Sequence, residues 1–393
     1  MNRKQFGILF VLLIVLGGAG WLVQKNRNHE SGSGEQGAGQ KLLGENFPIN
    51  DVAHISIKQG TNELNLVKKD DLWRVRERNE YPANFSDISS FLLKARELKV
   101  VQVEQIGVSQ LPRLELTPPG PATNSGVLLE LKDKEEKNIR ALTLGKKHVR
   151  KPQGAQAAQF GDAGYPDGRY VMLAGNNQNA LLIGDPLGNV EAKPEQWLKK
   201  DFFKVERPKA IAVAFAETTN SWKLVRDTET GDWKFAEAKP EEKLDSTKAS
   251  GMTSPFTAPS FNDVVALSAK PEDNGLDKPT VITVETFDDF TYTVKVGRKS
   301  GDDYPITVTV AANFPKERTR AKEEKPEDMV QADKAFAERQ KQLEEKLKAA
   351  KFFEQRTYLV PSYNIDPILK ERKDLLVDKK EEAKPEAAAP EKN

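Results

Sequence analysis

Three pairs of adjacent carboxylates stand out in the chain: Asp70-Asp71, Asp288-Asp289 and Asp302-Asp303. Two neighbouring carboxyls can share acid and base work, one protonated and one ionised. Each pair, however, falls at a turn between alternating runs, where short Asp side chains are favoured because they bond to their own backbone. A turn role is therefore expected at all three. The histidines are His29 in a polar stretch, His54 at an outward strand position and His148 in a basic loop. Their spacing suits no metal, and each reads as a solvated side chain. The oxygens of "GDAGYPDG" do not follow the EF-hand order. There is no G-x-S-x-G, no phosphate loop and no dinucleotide fingerprint. The corners Gly145-Lys146-Lys147 and Gly297-Arg298-Lys299 could touch phosphate or lipid head groups, but a charge run is more commonly a solvated face. No catalytic residue, cofactor or metal is expected from these patterns.

Bulk composition narrows the class further. The chain has 393 residues, 38% hydrophobic and 30% charged, with a net charge of +1 and no cysteine. That length favours two domains. A near-neutral balance argues against nucleic acid as the main partner. The lack of cysteine excludes disulfides, thiolate metal sites, a cysteine nucleophile and a lipoprotein anchor.

The front end reads as an address. Residues 1–5 form a short cytoplasmic start, and 6–23 ("FGILFVLLIVLGGAGWLV") carry no charge. As a helix this run would be about 27 Å long, enough to cross a hydrocarbon layer. The anchor residues are Phe6, Ile8, Leu9, Phe10, Val11, Leu12, Leu13, Ile14, Val15, Leu16, Trp21, Leu22 and Val23. Flanking Arg and Lys favour a cytoplasmic amino terminus and an exported bulk. The alternative is a cleaved signal peptide, with Gly18-Ala19-Gly20 at the cut. Residues 24–46, rich in Gly, Ser and Gln, read as a flexible linker spanning roughly 25 Å.

From Phe47 the apolar pattern takes the period of half-buried strands. Ala53, Ile55 and Ile57 alternate with His54, Ser56 and Lys58, and "KKDDLWRV" reads as a hairpin that drops Trp73 into a core. Ile88, Phe91, Leu92, Ala95 and Leu98 share one face of a helix with Ser86 as its N-cap. The runs "GVLLELKD", "IRALTLGKK", "GRYVML" and "NALLIGDP" follow. The same order returns as "AIAVAF", "SWKLVRDTETGDWKF" and "TVITVETFDDFTYTVKVGRK"; "GDAGYP" returns as "GDDYP" and "IGDPL" as "NIDPI". The expected fold is α+β: two tandem related domains of mainly antiparallel sheet with packed helices, at 47–205 and 206–377, after one transmembrane helix.

The copies differ in their insertions. The first has a polar loop after Gly145. The second has a helical insertion over about 316–356, with Met329, Ala332, Phe336, Leu343, Leu347 and Ala350 at steps of three and four. That coiled-coil-like stripe either packs back on its own sheet or meets a partner. Residues 378–393, charged and rich in Pro and Ala, read as a disordered tail.

An N-terminal anchor followed by "DLWRV", "NFSDISSFLLKARELKV", "LTLGKK" and "GRYVML" resembles the bacterial family called domain of unknown function 4340. The resemblance spans Val52 to Asp185 closely and Ile211 to Leu376 more loosely, since "DSTKASGMTSPF" departs from the family helix. It implies a membrane-anchored, mostly exported protein, often encoded beside gliding-motility-type ABC transporter components. It supplies no catalytic residue.

The chain is therefore expected to sit in the bacterial inner membrane as a single-pass protein with its bulk in the periplasm, or to be secreted after signal-peptide cleavage. The expected role is a non-enzymatic interaction module accessory to an ABC transporter or envelope complex. An envelope hydrolase with a site assembled from distant carboxylates is the alternative, and a sheet edge that accepts a partner strand is a third.

Overall fold

The computed structural model describes residues 37–377 apart from 152–163, 177, 253, 266–268 and 320–324. The expected anchor at 6–23, His29 and the tail at 378–393 lie outside the described residues. Among the described residues, no helix is long and apolar enough to cross a membrane. The architecture is α+β with two mainly antiparallel sheets. The chain divides between Lys199 and Lys200 into two compact units.

The first unit contains β1 (His54–Gln59), β2 (Asn62–Lys69), β3 (Leu72–Val75), β4 (Tyr81–Pro82), α1 (Phe85–Glu97), β5 (Val100–Gln105), β6 (Val127–Lys132), β7 (Asn138–Arg150), β8 (Tyr165–Leu173) and β9 (Asn179–Ile183). Their sheet order is β4-β3-β2-β1-β6-β7-β8-β9-β5. Ile55 and Ile57 are fully buried opposite Leu66 and Leu64, and Trp73 is buried on β3. Asp70 and Asp71 form the β2–β3 turn with positive φ at both positions, a conformation that short Asp tolerates. Helix α1 buries Ile88, Phe91, Leu92 and Ala95, and Phe91 meets Trp197 edge-on. Its N-cap is Asn84 rather than Ser86: the Asn84 side chain accepts from the Ser86 N–H.

The second unit contains β10 (Pro208–Ala214), β11 (Trp222–Val225), β12 (Lys234–Phe235), α2 (Ser246–Gly251), β13 (Asp263–Val264), β14 (Thr280–Thr286), β15 (Phe290–Val296), β16 (Asp303–Ala312), α3 (Pro326–Lys351), β17 (Tyr358–Pro361) and α4 (Ser362–Ile365). The order β12-β11-β10-β14-β15-β16-β17-β13 repeats that of the first sheet from β3 to β5, strand for strand. Phe203 and Val205, assigned by the pattern to the first domain, belong here: Phe203 stacks near Tyr292, and the Val205 N–H donates to Phe256 O. The second "acid-Trp" hairpin differs from the first. Phe235 carries the buried position, while Trp233 is half-exposed under the Arg226 guanidinium. The residue two places after the acid pair's Trp thus fills the core in the second copy.

One device recurs in both units. A 3-10 helix at Val108–Leu114 ends at Glu115 with positive φ, and another at Pro271–Asn274 ends at Gly275, also with positive φ. A Cβ on Gly145 would collide with the Leu114 carbonyl oxygen, and one on Gly297 with the Asn274 carbonyl oxygen. Both glycines lie just past the paired core of corresponding strands, β7 and β15. Close backbone approach, not the turn, requires glycine there.

Gly145→Ala and Gly297→Ala should each cost about 1–3 kcal/mol, the range for forced overpacking. Gly188→Ala, at an open position, should leave the denaturation midpoint of the full chain in detergent nearly unchanged. Equal midpoints for all three variants would refute the contact.

Candidate functional site

The linker reading of 24–46 requires correction at its end. Leu42 and Leu43 are buried, and residues 39–42 pair with the start of β5: the Gly39 N–H donates to Val100 O at 2.8 Å and the Leu42 N–H to Leu98 O at 2.8 Å. Apolar Leu side chains in an otherwise polar stretch were the available signal.

His54 also departs from expectation. Strand β1 lies between β2 and β6, so its polar face is covered by neighbouring side chains and by the β6–β7 turn. His54 is buried there, not solvated. Its Nδ1 lies 2.5 Å from Glu136 Oε2 and its Nε2 2.8 Å from Asn65 Oδ1. The Asn65 amide in turn donates to Glu77 Oε1 at 2.8 Å, and the Asn65 backbone N–H donates to Glu77 Oε2 at 2.9 Å. Each ring nitrogen thus has an oxygen partner from a different part of the unit. The hydrogen bond from His54 holds the Glu136 carboxyl below its usual 4.5, against the opposing effect of burial and with help from nearby cations. This closed chain satisfies buried polar groups and orients the turn.

His148 is the second correction. It is a strand residue, because β7 continues past Gly145 to Arg150 and pairs with β8. Two register shifts interrupt that pairing, between Leu144 and Lys147 and between His148 and Val149. Bulges re-aim side chains that would otherwise alternate between faces. As a result the four consecutive residues Lys146, Lys147, His148 and Val149 all line one open cavity of ≈ 480 Å³. Glu104, Gln105 and Ile106 from the end of β5, Gln110, Arg113 and Leu114 from the 3-10 helix, and Tyr170 from β8 complete it. Arg169 supports the bulge from behind: its buried guanidinium donates to Gly145 O at 2.8 Å.

The imidazole in that cavity is held in place. His148 Nδ1 lies 2.6 Å from Asp167 Oδ1, and Arg150 Nε lies 3.0 Å from Asp167 Oδ2. The His148 hydrogen bond holds the Asp167 carboxyl below its usual range, although burial works the other way. Tyr170 meets the His148 ring edge-on at 6.4 Å. Burial raises the Tyr170 phenol, and the Glu104 carboxylate adds to the rise through its charge and by accepting a hydrogen bond. An Asp–His pair can act as an oriented base or as a cationic donor. Among the described residues, the cavity lining includes no Ser, Thr or Cys to serve as a nucleophile.

The remaining expected site residues stay apart from this cavity. Asp288 is engaged by Arg207 and by Arg339 at 2.7 Å, and Asp303 accepts from Asn262 at 2.8 Å. Asp70 and Asp71 line a different open cavity, with Asp51, Asp133 and Glu135. On α3, Leu343 and Ala350 are buried and Leu347 half-buried, so the C-terminal half of the stripe faces its own unit rather than a partner. The helix contacts β16, and Lys346 bonds Glu206 at 2.7 Å. Met329, Ala332 and Phe336 are half-exposed.

Asn65→Ala should cost about 1–3 kcal/mol, because it removes the side-chain partner of His54 Nε2 and of Glu77 Oε1. The exposed Asn62→Ala should be near neutral. Glu136, with a lowered folded pKa, stabilises above pH about 4.5, and this contribution is lost as pH falls through the lowered value. His54→Ala should flatten that acid-side slope in equilibrium unfolding. An unchanged slope would contradict the network.

The family model described as Domain of unknown function (DUF4340) matches residues 73–279, from β3 of the first unit to the loop before β14 of the second. None of the curated proteins and none of the solved structures matches the chain.

Proposed function

The chain belongs to the DUF4340 family, and from that premise we propose that it is a membrane-anchored extracytoplasmic module. It holds a protein partner of an ABC transporter or envelope complex at the bacterial inner membrane and performs no chemistry of its own. The apolar run at 6–23 supplies the anchor, and the bulk lies in the periplasm.

One observation carries this reading. The residues that lead out of the apolar run join the first sheet at its β5 edge, at Gly39 and Leu42. Only residues 24–36 then separate the run from the folded unit. Thirteen residues of chain reach at most about 45 Å even when fully extended. A spanning helix would therefore keep the first unit at the membrane surface, within range of a membrane complex. Contact by the module falls to exposed surface, including the half-exposed start of α3 around Phe336 and the exposed Val330.

The test is site-specific photocrosslinking in native membranes from Val330 and Phe336, with the buried Leu343 as the control position. Expected is detergent-dependent extraction of the chain, protease access from the periplasmic side alone, and a transporter or envelope subunit crosslinked from the first two positions. A chain recovered in the soluble cytoplasmic fraction, or equal crosslinking from Leu343, would overturn the reading.

A further inference from the structure

The second unit serves as an internal reference for the first. It has the same strand connectivity, yet β15 pairs with β16 without a register shift and ends at Val296, just before its glycine. The lysine two places after that glycine, Lys299, is satisfied by Asp366 at 3.3 Å. The first unit departs from it here. Its strand runs on through Lys146, Lys147 and His148, and two bulges turn them into the cavity. Folding the shared scaffold does not need this extension, since the second unit folds its sheet without it.

The charges that result are not balanced locally. Arg113 and Lys146 make no ion pair with the described residues, in a chain whose Lys and Arg nearly equal its Asp and Glu. Lys147 reaches the field of Glu191. Among the described residues, Glu104 is the one carboxylate lining the cavity, and it is engaged by the Tyr170 hydroxyl. Asp167 stands behind His148 and is braced by Arg150. Among the described residues, His148 Nε2 has no hydrogen-bond partner, and it lies beside three cations on strand and 3-10 backbone.

We propose that the cavity formed by Arg113, Lys146, Lys147 and His148 in the first unit is a binding site for a phosphoryl oxyanion. Planar guanidinium and ammonium donors match phosphate oxygens, and an oriented imidazole adds a directed donor. A volume of ≈ 480 Å³ has room for a phosphate with a small attached group. The oxyanion can come from a free phosphate compound or from a phospholipid head group. The inference does not depend on the partner-holding role, because phosphate can bind where no protein crosslinks.

Calorimetric titration of the full chain in non-ionic detergent tests it. The probes are inorganic phosphate and short-chain phosphatidic acid, with short-chain phosphatidylcholine as the zwitterionic control. Saturable binding of phosphate or phosphatidic acid is expected, weakened about tenfold or more by Arg113→Gln and by Lys146→Gln. Both positions are exposed, so the fold tolerates the change, and thermal melts verify this. Lys134→Gln, in the other cavity, should bind as the unaltered chain does. Phosphatidic acid binding at least tenfold tighter than phosphate identifies the lipid source; comparable affinities identify a free compound. No saturable heat from either probe up to about 10 mM, or affinities unaffected by both cavity substitutions, would overturn the proposal.

Discussion

The architecture rests on how closely two backbones approach. In each unit a 3-10 helix is followed by a left-handed residue, and its last carbonyl presses against a glycine in, or just after, the strand beside it. The pairs are Leu114 with Gly145 and Asn274 with Gly297. A side chain at either glycine would push the 3-10 helix off the sheet. The basic residues after each glycine therefore mark a structural corner, and the strand's fate beyond it decides what those cations do. In the second unit the strand stops and Lys299 pairs with Asp366. In the first it continues, bulges twice and gathers its cations around one space.

Buried polar groups show a related economy. The sheet faces away from the apolar core are not simply wet. His54, Asn65, Glu77 and Glu136 close into a chain in which each polar atom has a partner, and Arg169 spends its guanidinium on backbone carbonyls exposed by a bulge. Such groups cost free energy unless they are satisfied. Their satisfaction here ties turns and bulges to strands. The repeated Asp-Pro segments fit the same pattern: Arg169 reaches Pro186 O and Leu187 O, while in the second unit the Tyr304 hydroxyl donates to Asp366 at 2.8 Å.

Much of this was legible in the sequence, for physical reasons that differ by element. Alternation at Ile55, Ile57, Leu64 and Leu66 has a strict period and marked half-buried strands, and the stripe at Ile88, Phe91, Leu92 and Ala95 marked a helix. Recurrence of "LTLGKK" as "VKVGRK" pointed to a second copy. The misreadings share one cause: they depend on neighbours distant in sequence. His54 is buried because β6 and Glu136, some eighty residues away, flank it. His148 looked like loop because Gly145 normally ends a strand, and bulges leave no simple pattern in one sequence. Leu42 and Leu43 were absorbed into a polar stretch by composition. The half of α3 that packs inward could not be told from the half that does not, since a helix stripe does not name what it meets.

The central claim is that the two units share a scaffold and that the first alone departs from it to bind an oxyanion. Hydrogen exchange of the full chain, followed by mass spectrometry with and without saturating inorganic phosphate, tests that claim most directly. The account requires slowed exchange in peptides covering 104–114 and 146–150, with peptides covering 298–305 unchanged. Equal protection in both regions, or none in either, would contradict it.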